Sequence, residues 1–482
     1  MKKKRCITDV VLIIFILVYA SGILFSLFQS TPPFFDWDEG IYAQVGREMI
    51  QKKSLIPLWQ GHPWLDKPPL VPLMYGVVSL VPILPEISTR LLTLLISCIV
   101  LIMAYVFFSK IGKRKDIGLL TVVITAFIPI YFQRSQSLNV DIFLLAGWFG
   151  YFLFYRRFFA GTAFLTLGVL SKSLLGWFPA AMLFGYYILA YFVEKKSRKE
   201  HLSQLKQILF QVFFSSWWFF LMIAMYKGEF IQAQFIESHL KRMTASIESH
   251  FGQRTFYLDL LFEQFGILKF PMIIGSLIVC FQTLRKKNIL TGVMLCIFVP
   301  WFVLLNLTKT KIAWYLHPVI PQFAFLASYV LFPFKKIVAT ILLIGILASI
   351  FYWNFVVHPF YKTQFSKTEE YQQIAISARN TCTSLEVLVE AQGRKAHDTL
   401  SQMNLLISTS EWWGNHPSMA YYYGGPTSYI YSINRLISEY DKKNKDFCIA
   451  FEKTDMLYLK TLIDKGKIVD TNSQWILLKK ID

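Results

Sequence analysis

The stretch FDWDEGIYA, residues 35–43, follows the first apolar segment of the chain and guides the interpretation of everything after it. It places three carboxylates, those of Asp36, Asp38 and Glu39, within four residues of one another beside a predicted membrane span. Charged side chains in such a position are costly unless they lie in water or have a function. The stretch therefore indicates a functional site at the surface of a membrane protein.

The composition of the whole chain supports a membrane protein. Of its 482 residues, 55% are hydrophobic, 17% are aromatic and only 16% are charged. This balance is too apolar for an ordinary soluble protein and is typical of a polytopic membrane protein. A net charge of +19 would favour nucleic-acid binding in a soluble protein. Here most lysines and arginines lie in short clusters between apolar runs, so we expect them to orient the chain and we expect no nucleic-acid partner.

Basic clusters and apolar runs together predict the topology. The basic amino terminus precedes an apolar run from Val10 to Phe28 that is long enough to span a bilayer and lacks a clear cleavage site. We expect an uncleaved first helix rather than a signal peptide. Alternating basic turns then predict an all-α polytopic protein with about eleven spans, its amino terminus inside and its carboxyl terminus outside. Two long outer loops, residues 30–86 and 227–264, interrupt this transmembrane domain, which we place at residues 1–358.

The composition changes to polar residues after position 358. Residues 359–482 predict a small extracytoplasmic α/β domain, in which we find no catalytic motif. Its strand candidates are residues 405–408, 421–423, 447–451 and 475–478. Two of the six cysteines, Cys382 and Cys448, fall in this domain, where a disulfide between them is one possibility.

The polar residues that hydrophobicity does not explain all fall on the predicted outer side. Besides the acidic stretch they are Asp66, Lys67, Arg134, Asp141, Lys172, His239, Lys241, Arg242, His250, Lys309, Lys311, Tyr315 and His317. Lysines and arginines that only extend towards the membrane surface would scatter over both sides. Convergence on one side, with charges of both signs, predicts a shared cavity.

Such a cavity suits sugar transfer from a polyprenyl-phosphate donor. This reaction needs cations to hold the phosphate and to balance charge on the leaving group. The candidate cations are Lys67, Lys172, Arg242, Lys309 and Lys311. The reaction also needs a carboxylate that removes the acceptor's proton, because a neutral hydroxyl is a weak nucleophile. Asp38 is the main candidate, with Glu39 or Asp141 as its partner.

Several of these residues also have a purely structural explanation. We expect Asp36 to be solvated rather than catalytic. Asp38 and Glu39 could cap the helix that is predicted to start near Ile41, because acidic residues favour a helix amino terminus. Lys67 could anchor the chain at the membrane interface. The residues alone therefore leave both interpretations open.

The same choice applies to the later loops. Asp141 could cap the fourth predicted span, and His239 and His250 could be ordinary loop histidines. Asp66 and His239 would be able to bind a divalent metal, but two ligands on distant loops are weak evidence for a metal site. We therefore expect no required cofactor.

Six motifs resemble, in the same order, those of a bacterial GT-C glycosyltransferase family. That family includes the 4-amino-4-deoxy-L-arabinose lipid A transferase and relatives of the protein O-mannosyltransferases. The motifs are DEGIYA with REM (38–43 and 47–49), WLDKPPL (64–70), NVD (139–141), LSKS (170–173), FIESHLKR with a later histidine (235–242 and 250), and KTKIAWYLHP (309–318).

The resemblance implies a GT-C fold and an inverting transferase that uses polyprenyl-phosphate sugars. It implies Asp38 as the catalytic carboxylate, Asp141 as a second acid and Lys67 with nearby basic residues as contacts to the donor phosphate. The motif residue Tyr315 joins the donor-phosphate candidates. Tyr42, His239 and His250 are further site candidates.

The chain departs from the arabinose transferase at three motif positions. Ile41 stands where that transferase has Arg, Ser173 replaces Gly, and Asp66 replaces Glu. We expect a multi-pass glycosyltransferase of the bacterial inner (plasma) membrane, with its active site and carboxyl-terminal domain extracytoplasmic. Its partners would be the lipid-linked donor, membrane lipids and an acceptor such as lipid A or another envelope glycan. A protein O-glycosyltransferase of the same fold and a transporter of lipid-linked substrates are the alternatives.

Overall fold

The structure is a computed structural model that describes residues 7–29, 32–286, 288–362, 367–443 and 446–481. The chain divides into two compact units. The first consists of Met1–Ser30, Thr89–Gly228 and Gly252–Gln364, and the second of Thr31–Ser88, Glu229–Phe251 and Phe365–Asp482. Most of both predicted outer loops therefore belongs to the same unit as the carboxyl-terminal segment.

Helices dominate the described chain. In chain order the α-helices are α1 (Ile7–Gln29), α2 (Asp38–Gln51), α3 (Leu70–Val78), α4 (Pro85–Ile111), α5 (Lys115–Phe127), α6 (Pro129–Arg134), α7 (Asp141–Phe154), α8 (Phe158–Lys172), α9 (Phe178–Val193), α10 (Arg198–Ser215), α11 (Trp217–Ile231), α12 (Arg242–Thr244), α13 (Phe256–Phe265), α14 (Lys269–Lys286), α15 (Ile289–Leu295), α16 (Val299–Leu307), α17 (Ile320–Ser328), α18 (Lys336–Tyr352), α19 (Glu370–Arg379), α20 (Ala391–Gln402), α21 (Ser418–Tyr423), α22 (Ile433–Tyr440) and α23 (Lys460–Lys465).

Shorter elements complete the chain. The 3-10 segments are Ser173–Trp177, Lys195–Ser197, Gly266–Leu268, Ala313–Val319, Tyr329–Leu331, Phe360–Lys362 and Lys453–Asp455, and the π-helical segments are Gln232–Lys241 and Trp353–Val357. The strands are β1 (Leu58–Trp59), β2 (His62–Pro63), β3 (Ser384–Leu388), β4 (Thr427–Ile430), β5 (Phe447–Glu452), β6 (Gly466–Thr471) and β7 (Trp475–Lys480).

Six helical stretches of the described residues are long and apolar enough to cross a membrane, or seven if the bent pair α15 and α16 forms one span. The six are Ile7–Gln29, Pro85–Ile111, Phe158–Val193, Lys195–Thr244, Phe256–Arg285 and Lys336–Lys362. On α18, Ile337, Ile341 and Ile344 are 77%, 64% and 61% exposed, as expected of a helix that faces lipid. The chain is thus a polytopic membrane protein, but the predicted number of about eleven spans is not confirmed.

Glycines bring α7 and α8 close together in the first unit. A Cβ atom on Gly147 would lie 2.6 Å from the backbone nitrogen of Gly168, and one on Gly176 would collide with the backbone of Val169. Small residues let helix backbones approach closely within a membrane. This packing positions two predicted site residues, because α7 begins at Asp141 and α8 ends at Lys172.

In the second unit, α2 packs closely against α3. A Cβ atom on Gly46 would lie 2.9 Å from the backbone nitrogen of Gly76. The chain between these helices forms the antiparallel β1–β2 hairpin. Glu48 of α2 holds the hairpin turn, because its two carboxylate oxygens accept hydrogen bonds from the backbone N–H groups of Gln60 and Gly61, both at 2.9 Å.

The carboxyl-terminal segment folds around a five-stranded mixed sheet with the strand order β4-β3-β5-β7-β6. β3 pairs in parallel with β4 and β5, whereas β7 is antiparallel to β5 and β6. The side chains of β5 are buried on both faces because helices also pack on the sheet. The core includes Leu388, Ile430, Leu436, Tyr440, Phe447, Ile449, Phe451, Leu459, Leu462, Ile476 and Leu478. The predicted small α/β module is confirmed.

Two of the four predicted strands are wrong. The predicted strands at 447–451 and 475–478 correspond to β5 and β7, but residues 405–408 are irregular and residues 421–423 lie in α21. Tyrosines favour strands through packing rather than through a backbone preference, so tertiary contacts can override the pattern. Here the hydroxyl of Tyr422 accepts a hydrogen bond from the backbone N–H of Phe34 at 2.7 Å and donates one to Glu86 at 3.1 Å.

A disulfide joins Cys382, just before β3, to Cys448 in β5. The two Cα atoms are 5.7 Å apart, a normal separation for a disulfide. The parallel pairing of the two strands explains this proximity, because Cys448 lies opposite Leu385 in the register. The bond that the sequence left as one possibility is therefore present.

Candidate functional site

Asp38 and Glu39 form the first turn of α2. Glu39 is buried, and its Oε2 atom accepts a hydrogen bond from the backbone N–H of Phe35 at 2.8 Å. Asp38 is partly exposed, and the residue at the N-cap position of the helix is Trp37. A helix amino terminus favours negative charge. Glu39 thus stabilises the turn before the helix, whereas Asp38 is accessible to a ligand.

The first two motifs meet around the indole of Trp64. The ring of Tyr42 on α2 lies 6.0 Å from the ring of Trp64. The ammonium nitrogen of Lys67 lies 5.9 Å from the centre of the same indole, a distance typical of a cation–π contact. Tyr42 and Lys67 are therefore neighbours of one aromatic side chain.

Asp66 connects the first outer loop to the second. Its side chain is 5% exposed, and its Oδ2 atom accepts a hydrogen bond from Thr409 at 3.3 Å. Burial raises the pKa of Asp66, although the positive charges of Lys67 and Arg242 partly oppose that rise. Arg242 in turn pairs with Glu248 at 3.1 Å. These contacts place charges from both loops within electrostatic range of one another.

The two loop histidines occupy the same unit. The Nδ1 atom of His239 lies 2.6 Å from the carbonyl oxygen of Gln234, so Nδ1 donates to it. Burial lowers the pKa of His250, and the nearby Glu248 partly opposes this. Protein metal sites usually have three or four ligands. Within the described ranges no three His, Cys, Asp or Glu side chains are close enough to hold a metal, so Asp66 and His239 do not fit a metal centre by themselves.

The first unit contains a second charged cluster around Asp141. This carboxylate is completely buried; its Oδ1 atom contacts the ammonium of Lys172, and its Oδ2 atom lies 3.1 Å from Nη2 of Arg134. Each cation also lies on an aromatic ring. The Arg134 guanidinium is 5.5 Å from the Trp314 ring centre, and the Lys172 ammonium is 4.4 Å from that of Tyr315.

Asp141 does not cap α7, which was its structural alternative. Asn139 makes the corresponding bond, because its Oδ1 atom accepts from the backbone N–H of Ile142 at 3.0 Å. The Asn139 amide also donates to the carbonyls of Arg134 and Ser137, at 2.6 Å and 2.7 Å. Asn139 therefore holds the turn that brings Arg134 back towards Asp141.

The two lysines of the last motif differ in their surroundings. Lys309 lies exposed in the loop after α16. Lys311 is 5% exposed, and its ammonium donates to the backbone carbonyls of Leu305 and Asn306, at 3.3 Å and 3.0 Å. These carbonyls belong to the last turn of α16, where a cation is favourable. Lys311 thus stabilises the end of that helix.

Known proteins share this architecture. A family model described as dolichyl-phosphate-mannose-protein mannosyltransferase matches residues 66–220. ArnT from Cupriavidus metallidurans bound to undecaprenyl phosphate is similar over 98% of this chain and 98% of that chain, with a TM-score of 0.68 and 14% identity. Its apo form gives a TM-score of 0.67, again at 14% identity, over 97% of this chain and 98% of that one.

A more distant likeness extends to an archaeal protein. The oligosaccharyltransferase AglB from Archaeoglobus fulgidus, in complex with an inhibitory peptide and a dolichol-phosphate, is similar over 92% of this chain and 70% of that chain. Its TM-score is 0.54 and its identity is 12%. A search of the curated proteins found no match.

The chain has the GT-C fold. The predicted fold class and the motif resemblance are therefore confirmed. In this GT-C chain the predicted site residues lie in both compact units. Asp38, Glu39, Tyr42, Asp66, Lys67, His239, Arg242 and His250 belong to the second unit, and Asp141, Lys172, Lys309, Lys311 and Tyr315 belong to the first.

One sequence prediction about the acidic stretch is wrong. Asp36 is not a solvated charge, because its side chain is only 14% exposed and bonds to His416 and Ser418. His416 follows Asp36 by 380 residues in a segment without a motif, so no sequence pattern links the two. The pairing of Arg134 with Asp141 was also not predicted from the sequence. The two residues are only seven positions apart, so their opposite charges could have indicated an ion pair.

Proposed function

We propose that this GT-C chain is a membrane glycosyltransferase that moves a sugar from a polyprenyl-phosphate donor to an extracytoplasmic acceptor. The observation that carries the proposal is the fold, shared over 98% of both chains with a protein bound to undecaprenyl phosphate. The family model that matches residues 66–220 is named after a mannosyltransferase that uses dolichyl-phosphate-mannose, and this name supports sugar transfer from a polyprenyl phosphate. AglB, bound to a dolichol-phosphate, supports the same donor class.

Asp38 is the proposed base of a single inverting displacement. It takes the proton of the acceptor hydroxyl while that oxygen attacks the anomeric carbon of the sugar. The bond from the anomeric carbon to the phosphate oxygen breaks, and its electron pair leaves with the polyprenyl phosphate. Phosphate is a stable anion, so its departure needs no protonating acid. The partial exposure of Asp38 fits this role better than the burial of Glu39, which supports the turn instead.

Basic residues balance the charge of the leaving phosphate. Lys67 and Arg242 are the candidates in the second unit, and Arg134 and Lys172 are those in the first. In the first unit two cations contact the carboxylate of Asp141, and cations fixed in this way can offset the charge that develops on a leaving phosphate. Both oxygens of Asp141 are occupied, so we assign it to hold these cations in place rather than to remove a proton.

The remaining candidates have supporting roles in this proposal. Tyr315 restricts Lys172 through its ring face, and Lys309 is exposed enough to reach an anion. Tyr42 packs near the indole that lies beside Lys67. That no cofactor is required stays a prediction, and no step of the proposed mechanism uses a divalent metal.

We propose the bacterial inner membrane as the location, with the acidic stretch and the carboxyl-terminal segment outside the cytoplasm. The Cys382–Cys448 disulfide supports this side, because disulfides persist mainly in oxidising compartments. The basic clusters of the predicted inner turns support the same orientation.

The proposed acceptor is lipid A or another envelope glycan. A protein hydroxyl is the second candidate, favoured by the protein mannosyltransferase name of the matching family model. A transporter of lipid-linked substrates is disfavoured, because transporters place broken helices and charges near the bilayer midplane. Here Asp38, Lys67 and Arg242 belong to the unit that contains most of both predicted outer loops.

Mass analysis of envelope material tests the proposal. Lipids, glycans and proteins from cells with and without this chain are compared under conditions in which the chain is produced. The proposal predicts that one sugar modification disappears from a lipid, a glycan or a protein when the chain is absent, and the modified class names the acceptor. An unchanged pattern in all three classes, with lipid-linked sugar redistributed between the leaflets, would favour the transporter.

A further inference from the structure

His416 bridges two carboxylates from distant parts of the second unit. Its Nδ1 atom lies 2.8 Å from Oδ2 of Asp36, and its Nε2 atom lies 2.6 Å from Oε1 of Glu390. Ionised carboxylates only accept hydrogen bonds, so both ring nitrogens donate and the ring is positively charged. The ring of Tyr371 stacks on it at a centroid distance of 3.7 Å, which favours a cation.

Residues 416–418 hold both carboxylate oxygens of Asp36, and Tyr371 on α19 interacts with the same carboxylate. Besides the bond to His416, its Oδ1 atom accepts hydrogen bonds from the backbone N–H of Ser418, at 3.1 Å, and from the Ser418 hydroxyl. Both of its oxygens are therefore occupied by residues 416–418. Asp36 cannot act as a base in this arrangement and instead ties the acidic stretch to that segment.

The same segment contacts the start of α2 directly. Gly40 packs so closely that a Cβ atom on it would lie 2.8 Å from the Cα atom of Ser418. Between Asp36 and Asp38, Trp37 has a φ of 63°. Residues other than glycine rarely adopt this conformation and keep it only where their surroundings impose it. The position of Asp38 thus depends on contacts of the residues on both of its sides.

The other partner of His416 belongs to the mixed sheet. Glu390 follows β3 closely in sequence, and the amide of Asn415 donates to its Oε2 atom at 2.9 Å. Through His416, the end of a central strand is therefore connected to the acidic stretch. This connection lies entirely within the second unit.

The titratable groups that face His416 come from four elements. They are Asp36 before α2, Glu390 after β3, Tyr371 on α19 and Glu452 at the end of β5. Burial raises the pKa of Tyr371, so this hydroxyl stays neutral while His416 loses its proton. Deprotonation of His416 is thus the event that removes positive charge from this cluster at alkaline pH.

We propose that His416 is a positioning residue for sugar transfer: its charged ring holds Asp36 beside Glu390 and so fixes the turn that presents Asp38 to the acceptor. This inference rests on the proposed function and deepens it. His416 contacts neither the donor nor the acceptor and acts through Asp36. The sheet of the carboxyl-terminal segment thereby becomes part of the apparatus that orients the base.

The test compares two substitutions of His416 with a matched control. The purified full-length variants are added to membranes from cells that lack the chain, which supply donor and acceptor, and the release of polyprenyl phosphate is measured. His416→Gln should lower kcat roughly 10- to 100-fold, because small misplacements of a reacting group have effects of this size. The apparent KM for the donor, obtained by varying the amount of these membranes, should change less than about threefold, since the donor contacts stay intact.

The pH profile separates positioning from a general structural role. Wild-type kcat should fall above about pH 9, where the ring loses its charge. His416→Arg should keep most of kcat and lose this alkaline fall, because a guanidinium donates to two carboxylates and stays charged. His397→Gln is the control, since the ring of His397 also lies against a tyrosine ring, that of Tyr431 at a centroid distance of 4.3 Å, but pairs with Glu411. It should keep both the rate and the profile.

The outcomes distinguish this inference from the function on which it rests. Unchanged kcat and an unchanged alkaline fall in His416→Gln would overturn the positioning role, while transfer by the wild type would leave the function intact. Absence of transfer by the wild type would overturn the proposed function itself. If His416→Gln does not fold, His416→Arg decides: loss of the alkaline fall supports the inference, and retention of it contradicts the inference.

Discussion

Replacing Asp141 by Asn should strongly destabilise the first unit. The carboxylate is 1% exposed, and its two partners Lys172 and Arg134 are only 12% and 9% exposed. Asn keeps the shape of the side chain but removes the negative charge that both cations contact. Removing one partner from a buried ion pair costs about 3–5 kcal/mol, mostly from the unpaired charge that stays behind.

This loss is large compared with the total stability of a folded domain, which is about 5–15 kcal/mol. For a unit of this size it corresponds to a fall in unfolding temperature of roughly 5–8 °C. Intrinsic tryptophan fluorescence of the purified protein in detergent measures this fall. The double variant Asp141→Asn with Lys172→Met should recover part of the stability, because one unpaired cation is removed. Asp38→Asn is the control and should unfold near the wild-type temperature, since Asp38 is partly exposed.

Two results would refute this reasoning. An unfolding temperature of Asp141→Asn within about 2 °C of the wild type would show that the carboxylate does not balance buried charge. A double variant less stable than Asp141→Asn alone would show that Lys172 does not depend on Asp141.

Three further predictions concern stability. Burial lowers the pKa of His416, but two carboxylates raise it to about 9 overall, above its value in the unfolded chain. About 3 kcal/mol of stabilisation is therefore present below pH 6.5 and is lost as the pH rises past 9. Unfolding measured at pH 6 and at pH 10 should show this loss in the wild type and not in His416→Gln. The Cys382–Cys448 disulfide closes a loop of 66 residues, so reducing it should lower the free energy of unfolding by roughly 4 kcal/mol. Unfolding with and without reductant measures this difference, and equal stabilities would contradict the prediction. Gly147→Leu should force α7 and α8 apart at a cost of about 1–3 kcal/mol or more, and an unchanged unfolding temperature would exclude the tight contact.

The membrane architecture and the acidic stretch could be predicted because their signals are local. Apolar runs and basic turns reflect the cost of placing charge in lipid, and this cost acts on each segment separately. The helix predicted to start near Ile41 is present as α2, although it begins three residues earlier, at Asp38. The mixed sheet was only half predicted, because strand formation depends on partners that a short window does not contain.

The contacts that define the charged clusters could not be predicted. Asp36 looked like a solvated acid because nothing near it in sequence pairs with it, and its partner His416 is 380 residues away. Asp141 looked like a helix cap because acids favour that position. Asn139, two residues earlier, makes the capping bond and leaves Asp141 to the two cations.

Single-turnover transfer by Asp38→Asn tests the central claim most directly. Donor binding and transfer are measured on the same protein in lipid nanodiscs, beside Asp441→Asn, a control that removes a surface carboxylate 70% exposed. We predict that Asp38→Asn binds donor within about threefold of the wild type but transfers sugar roughly 10²- to 10⁴-fold more slowly, the usual contribution of a general base. Transfer by Asp38→Asn at the rate of the wild type and of Asp441→Asn would contradict the account.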